Sequence, residues 1–250
     1  MKITAYAKIN LCLDILKKTP EGYHEISAVF HEIKNFKDII EINKTKLSDF
    51  VSIAHAGQKT PVQNIKISEN LAKKALDLFK KTFEIKDNFS IKIHKGIPIS
   101  SGLGGASSDA AAVLKALNKI YKLKLPTKTL QDLAAKIGMD VPFFIVGGTA
   151  LGTHFGEKIT KLPPPKNLKI KITPRSSTLK EKTRQAYATL DLSKCGKDKP
   201  KTTLLLKGIK TANKALILQN LHNDFETSLK KPLPKNTHLS GSGPSIFVCI

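Results

Sequence analysis

Tryptophan is absent from this 250-residue chain, and arginine occurs only at Arg175 and Arg184, against forty lysines. The net charge of +22 is therefore carried almost wholly by lysine. Arginine is the side chain that grips phosphates and base edges with two bonds at once, and aromatics interleaved with cations stack on unpaired bases. Neither pattern is here, so the charge reads as a lysine-rich solvated surface rather than a specific nucleic-acid interface. Such a surface still steers phosphorylated small molecules and binds polyanions loosely at low salt. Cysteine is scarce too: Cys12, Cys195 and Cys249 are odd in number and far apart, which excludes a disulfide framework and a zinc knuckle. The seven histidines include no His-Glu-x-x-His spacing, and no acidic cluster marks a metal site. The apolar run from Val141 to Leu151 is too short to cross a bilayer and contains two glycines. The chain opens on Lys2-Ile-Thr-Ala-Tyr without the regions of a signal peptide, so the expected location is cytoplasmic, with no membrane partner.

What the chain does have is a dense glycine and serine turn. Pro98, Ile99, Ser100, Ser101, Gly102, Leu103, Gly104, Gly105, Ala106, Ser107 and Ser108 run into Asp109-Ala-Ala. Phe89 to His94 alternates like a strand before it, and Ala110 to Tyr121 carries apolar residues at helical spacing after it. Strand, glycine loop and helix N-terminus make an anion cradle. The first helical turn has unpaired N–H groups and a partial positive charge, and glycines admit a phosphate close to the backbone. The loop lacks the Gly-Lys-Ser/Thr ending of the commonest nucleotide loop. In a dinucleotide fingerprint a third glycine would stand where Ser107 does.

The rest of the chain reads as mixed α and β. Residues 2–7 and 9–16 look like strands joined near Lys8, and further strand signals fall at Phe30–Ile33, Ile39–Ile42 and Val51–Ile53. A helix is expected from Asn70 to Thr82, with Leu71, Ala75, Leu78 and Phe79 on one face. Another is expected over Leu130–Ile137, stopped by Gly138. Leu168–Ile172 and Ile246–Ile250 read as strands and Leu179–Leu190 as a helix. Pro163-Pro-Pro165 breaks the composition and sets an expected boundary between domains at 1–162 and 163–250. Asp140, between Gly138 and Pro142, is expected in an extended segment after the helix stop.

The register of proline, glycines, serines and alanines in the loop resembles the ATP loop of one small-molecule kinase superfamily. That superfamily includes galactokinase, homoserine kinase, mevalonate kinase and phosphomevalonate kinase. Ala5-Tyr-Ala-Lys8-Ile-Asn10, Gly22-Tyr23-His24-Glu25, Ile137-Gly-Met-Asp140-Val-Pro142 and Leu239-Ser-Gly241-Ser242-Gly243-Pro-Ser narrow the resemblance. They match the branch acting on a cytidine diphosphate-linked methylerythritol in the non-mevalonate route to isoprenoids. The likeness runs from residue 5 to residue 249. It implies an α+β, two-domain small-molecule kinase fold, with a ribosomal-protein-S5-like N-terminal domain and a ferredoxin-like C-terminal domain. Relatives continue past the strand that ends at Ile250, so the last domain is expected to be short of a helix and a strand.

The resemblance also implies roles. ATP and Mg²⁺ are the expected cofactors, with ATP on residues 98–108. Asp140 is the implied catalytic base, and Lys8 the catalytic cation that polarises the attacking hydroxyl and keeps a nearby carboxylate charged. Asn10, two residues along the same strand face, is assigned to substrate hydroxyls. Tyr23 and His24 are implied to read cytosine and Tyr187 to close its other face, while Gly241, Ser242 and Gly243 lie beside the substrate phosphates. Asn223-Asp-Phe-Glu226 is read as structural. The magnesium ligands are unassigned, with Ser108 and Asp109 as the candidates. The implied assembly is a monomer or weak homodimer. Two alternatives stay open: another kinase of the superfamily, and a basic RNA-binding protein on the S5-like fold.

Overall fold

The computed structural model describes residues 1–55, 70–178 and 182–250. It divides into two compact units: Met1–Ala7, Ile33–Ile97 and Gly104–Val146 form the first, and Lys8–Glu32, Pro98–Leu103 and Gly147–Ile250 the second. Two long strands, β1 (Lys2–Lys18) and β2 (His24–Thr45), contribute to both. The two short segments expected on either side of Lys8 are thus one strand, because Lys8 is buried in line with its apolar neighbours and interrupts nothing. The signals at 30–33 and 39–42 likewise belong to a single strand.

In the first unit the strand order is β3 (Phe50–His55), β4 (Asn88–Lys95), β2, β1, with β3 parallel and β2 antiparallel to β4. Side chains alternate across this sheet, and Ile40, Ile42, Phe89, Ile91 and Ile93 all point into the core. Of four helices, α1 (Leu71–Thr82) and α3 (Thr127–Ala135) bury an apolar stripe, α2 (Gly105–Ile120) is buried on every side over residues 108–114, and α4 (Val141–Val146) is short. The Asn70 side chain caps α1 by accepting from the Ala72 N–H at 2.8 Å. The buried face of α1 is Ala72, Ala75, Leu76 and Phe79; Leu71 and Leu78 lie at its margin, so the stripe is rotated from the expected one. Helix α2 begins five residues before the expected Ala110. Left-handed Gly104 starts it, and the alanine run is good helix former from its first turn. Asp140 lies in a turn that leads directly into α4, not in an extended segment. Pro142 sits at the second position of that helix, where its missing N–H costs no hydrogen bond.

In the second unit, β8 (His222–Asn223), β1, β2, β5 (Thr149–His154) and β6 (Lys158–Leu162) stand side by side. A separate antiparallel sheet has the order β7 (Ile170–Thr173), β10 (Ile246–Cys249), β9 (Thr237–Leu239). Helices α5 (Lys182–Ala188), α6 (Lys199–Lys210) and α7 (Lys214–Gln219) complete it. The start of the expected helix at 179–181 lies outside the described residues. Pro163–Pro165 falls within this unit, between β6 and β7.

A polar knot holds β8 to β1. Asp14, fully buried, accepts a hydrogen bond from the Thr202 hydroxyl on α6 and lies 3.1 Å from His222 Nε2. His222 Nδ1 is 3.0 Å from the Asn220 carbonyl oxygen, so an imidazolium satisfies both contacts. Burial alone would lower the His222 pKa; the Asp14 bond, the Asn220 carbonyl and the charges of Asp14 and Asp198 outweigh it and raise the pKa above 6.5. A raised folded-state pKa gives stability that is complete below the unfolded value and fades as pH rises through the folded one. The gap in melting temperature between wild type and His222→Asn is therefore expected to narrow as pH rises from about 6 to about 9. Melts across that range check it, and a pH-independent gap refutes it.

Candidate active site

Lys8 lies on β1 with its ammonium buried, donating to Asn10 Oδ1 at 2.7 Å. The two side chains meet because residues two apart in a strand share a face. The same ammonium stands 5.4 Å from the centre of the Phe30 ring, within range of a cation–π attraction. Around it two glycine turns interlock. The Lys8 N–H donates to the Leu103 carbonyl at 2.9 Å. The Ser240 hydroxyl donates to the carbonyl oxygens of Gly102 at 2.9 Å and Lys8 at 3.4 Å. The Ser245 N–H reaches the Ser101 carbonyl at 3.1 Å. Gly102 has φ +83°, and a Cβ there would fall 2.1 Å from the Ser240 carbonyl oxygen and 2.6 Å from that of Gly243. The turn of Gly241, Ser242 and Gly243 is fixed from below by Asn223, whose side-chain amide donates to the carbonyls of Leu239 at 3.0 Å and Gly241 at 2.9 Å. Lys8, Asn10, residues 101–103 and residues 240–245 thus form one cluster.

An aromatic group occupies the same unit. His24 stacks on Tyr187 with ring centres 4.7 Å apart, and Tyr187 meets the Phe225 ring edge-on at 4.9 Å. Tyr23 packs against Phe155 at 5.1 Å and keeps 49% of its surface exposed. Burial, then the charge of Lys18, lowers the His24 pKa, so its ring is neutral near pH 7, with one nitrogen donating and one accepting. Ser242 Oγ lies 3.4 Å from Thr183 Oγ1.

The first unit carries Asp140, half-buried, and the start of α2. The first bond inside α2 runs from the Ser108 N–H to the Gly104 carbonyl at 2.9 Å, so the N–H groups of Gly105, Ala106 and Ser107 have no acceptor within the helix. That is the donor set a phosphate needs. In the expected loop, Ile99 and Ser100 are exposed, Pro98 is half-buried, and Ser101 and Leu103 are buried. Ser107 and Ser108 belong to the first turn of the helix rather than to the loop before it. Asp109 is buried with Oδ2 accepting from Lys95 Nζ at 2.9 Å, and burial lifts its pKa to about 7 despite the lysine. Among the described residues no three His, Cys, Asp or Glu side chains gather as a metal site. Phe30 and Phe155 have no place at the site in the sequence reading, and Phe225 and Ser240 stand inside motif segments without one; their partners Lys8, Tyr23, Tyr187 and Gly102 are remote from them in sequence.

Residues 70–148 match the family model for the GHMP kinases N terminal domain. The 4-diphosphocytidyl-2-C-methyl-D-erythritol kinase of Caldicellulosiruptor saccharolyticus is 39% identical over 99% of this chain and 87% of its own length. The chain belongs to the 4-diphosphocytidyl-2-C-methyl-D-erythritol kinase family. A crystal structure of 4-(cytidine 5'-diphospho)-2C-methyl-D-erythritol kinase matches with a TM-score of 0.74 and 26% identity, covering 99% of this chain and 89% of that one. A homoserine kinase from Cytophaga hutchinsonii shares the fold, with a TM-score of 0.73 at 19% identity over 100% of this chain and 85% of its own. The α+β small-molecule kinase fold expected from the sequence is the fold of this kinase family.

Gly102 is the most constrained position of the cluster. Gly102→Ala is expected to lower stability by about 1–3 kcal/mol, since backbone atoms on the other turn must move aside. A thermal melt reads it, and an unchanged melting temperature contradicts the interlock.

Proposed function

We propose that this chain transfers the γ-phosphoryl group of ATP to the 2-hydroxyl of 4-diphosphocytidyl-2-C-methyl-D-erythritol, in non-mevalonate isoprenoid precursor synthesis. The observation that carries the reading is the buried cluster of Lys8, Asn10 and the two glycine turns, in a chain 39% identical to a kinase of that name. Phosphoryl transfer asks a protein for positioning and charge more than for covalent chemistry. The unpaired N–H groups at the start of α2, with the segment 98–103, hold the phosphates of ATP. Asp140 accepts the proton of the 2-hydroxyl as general base, and Lys8 polarises that hydroxyl. Asn10 orients it.

Tyr23 offers an exposed ring for cytosine to stack on, and neutral His24 matches an edge that both donates and accepts. Tyr187, stacked on His24 in this structure, flanks the base from the other side. Gly241, Ser242 and Gly243 present backbone to the substrate diphosphate. Mg²⁺, when bound, would neutralise phosphate charge; of the two candidates, Asp109 has Oδ2 bonded to Lys95, which leaves the Ser108 hydroxyl as the group that would hold the ion. The assignment includes a boundary at 162/163 between an S5-like N-terminal domain with the ATP loop and catalytic residues and a ferredoxin-like C-terminal domain, a monomer or weak homodimer, and a cytoplasmic location. No helix among the described residues is long and apolar enough to cross a membrane.

The test is ADP release with Mg-ATP and the cytidyl substrate, run beside homoserine, mevalonate and galactose. Turnover is expected with the cytidyl substrate alone. Asp140→Asn and Lys8→Ala are each expected to lower kcat about 10²–10⁴-fold, and variants within about threefold of wild type refute the roles. Tyr23→Ala is expected to raise KM for the cytidyl substrate about tenfold, the scale of one lost stacking contact, and to leave KM for ATP in place.

A further inference from the structure

Beneath the start of α2 lies a group of three titratable side chains that the catalytic reading does not use. Asp38 on β2 and Lys95 on β4 occupy the next inward positions after Ile40 and Ile93, one step past the last paired residues, Ile39 and His94. An apolar alternation therefore ends in a buried ion pair, with Lys95 Nζ 2.5 Å from Asp38 Oδ2. The other Asp38 oxygen accepts from the backbone N–H groups of Gly96 at 2.6 Å and Ile97 at 2.8 Å, the two residues before Pro98. Lys95 also donates to Asp109 Oδ2 at 2.9 Å, inside the second turn of α2. The ammonium lies so close under the helix start that a Cβ on Gly105 would come within 3.2 Å of it. Asp109 Oδ1, buried as well, has no hydrogen-bond partner. The chain thus leaves β4 and re-enters as α2 with both points tied to one carboxylate, directly at 96–97 and through Lys95 at 109.

We propose that Asp38, Lys95 and Asp109 are positioning residues that fix the distance between the two ends of the glycine loop, and so set its affinity for ATP. The inference rests on the kinase reading for the identity of the ligand. None of the three touches the reacting atoms. Asp38 sets where residues 96–97 stand, and Lys95 transmits that position to the helix whose first-turn N–H groups meet the phosphates. Asp109 holds Lys95, not Mg²⁺.

The experiment compares Asp109→Leu, which cannot accept from Lys95, with Asp109→Asn, which keeps an acceptor. ATP binding is titrated by calorimetry with Mg²⁺ and again in EDTA, at a temperature where melts show each protein folded. Asp109→Leu is expected to weaken ATP about tenfold in both titrations, the cost of one charge-assisted bond, and Asp109→Asn to stay within about threefold of wild type. In turnover, KM for ATP rises while KM for the alcohol stays put. If Asp109→Leu does not fold, the double variant K95M/D109L is expected to show the same loss; there Asp38 keeps its two backbone donors. A loss confined to the Mg²⁺ titration overturns the proposal by making Asp109 a metal ligand, as does wild-type affinity in the folded Asp109→Leu or double variant. A protein that binds ATP as described but phosphorylates none of the four alcohols overturns the proposed function alone.

Discussion

One buried carboxylate, that of Asp38, decides where the chain leaves β4. A carboxylate removed from water is costly unless donors surround it, and both Asp38 oxygens are engaged, by two backbone N–H groups and an ammonium. Those donors can be supplied only if residues 95–97 bend around the side chain, and that bend brings the chain to Pro98. The glycine loop and the N-terminus of α2, next along the chain, inherit their starting point from this contact. The flanking core is apolar and would tolerate small shifts; hydrogen bonds to a charge are directional and tolerate fewer.

Forty lysines give the chain its charge, yet among the described residues only Lys8 and Lys95 are buried. A surface lysine keeps its water and is interchangeable with its neighbours. A buried one needs named partners: Asn10 and the Phe30 face for Lys8, Asp38 and Asp109 for Lys95. Lys8 stands beside the glycine turns of the second unit and Lys95 under the start of α2 in the first, and an ammonium in a low-dielectric setting exerts a strong field.

Much of this was legible in the sequence because it is local. The strand, loop and helix around residues 89–120 are implied by alternation, glycine density and an alanine run, and Asn10 beside Lys8 by strand geometry. The errors have local causes as well. Alternation weakens where polar Lys8 enters a buried position, so one strand looks like two. Pro142 suggests an extended residue before it, yet it sits comfortably in the first turn of α4. Helix α6 carries Pro200, two threonines and Gly208, poor helix formers that hide it; its buried residues Leu205 and Ile209 find their partners only in the folded chain. Asp38 and Lys95 do carry a signal, a charge at the inward end of each alternating run. Their link to Asp109, and the meeting of Gly102 with Ser240, depend on tertiary contacts that spacing does not encode.

The contact between the Ser240 hydroxyl and the Gly102 carbonyl joins residues 138 apart, and that to the Lys8 carbonyl joins residues 232 apart. On a ribosome that releases about 5–20 residues per second, Lys8 waits many seconds for the turn that completes its surroundings. Contacts of such long range are slow to close and form late in folding. The nascent chain can build strands and helices early, but the surroundings of Lys8 are completed only after the turn at residues 240–245 has emerged. A chain stalled before residue 240 would thus lack the turn that closes the surroundings of Lys8.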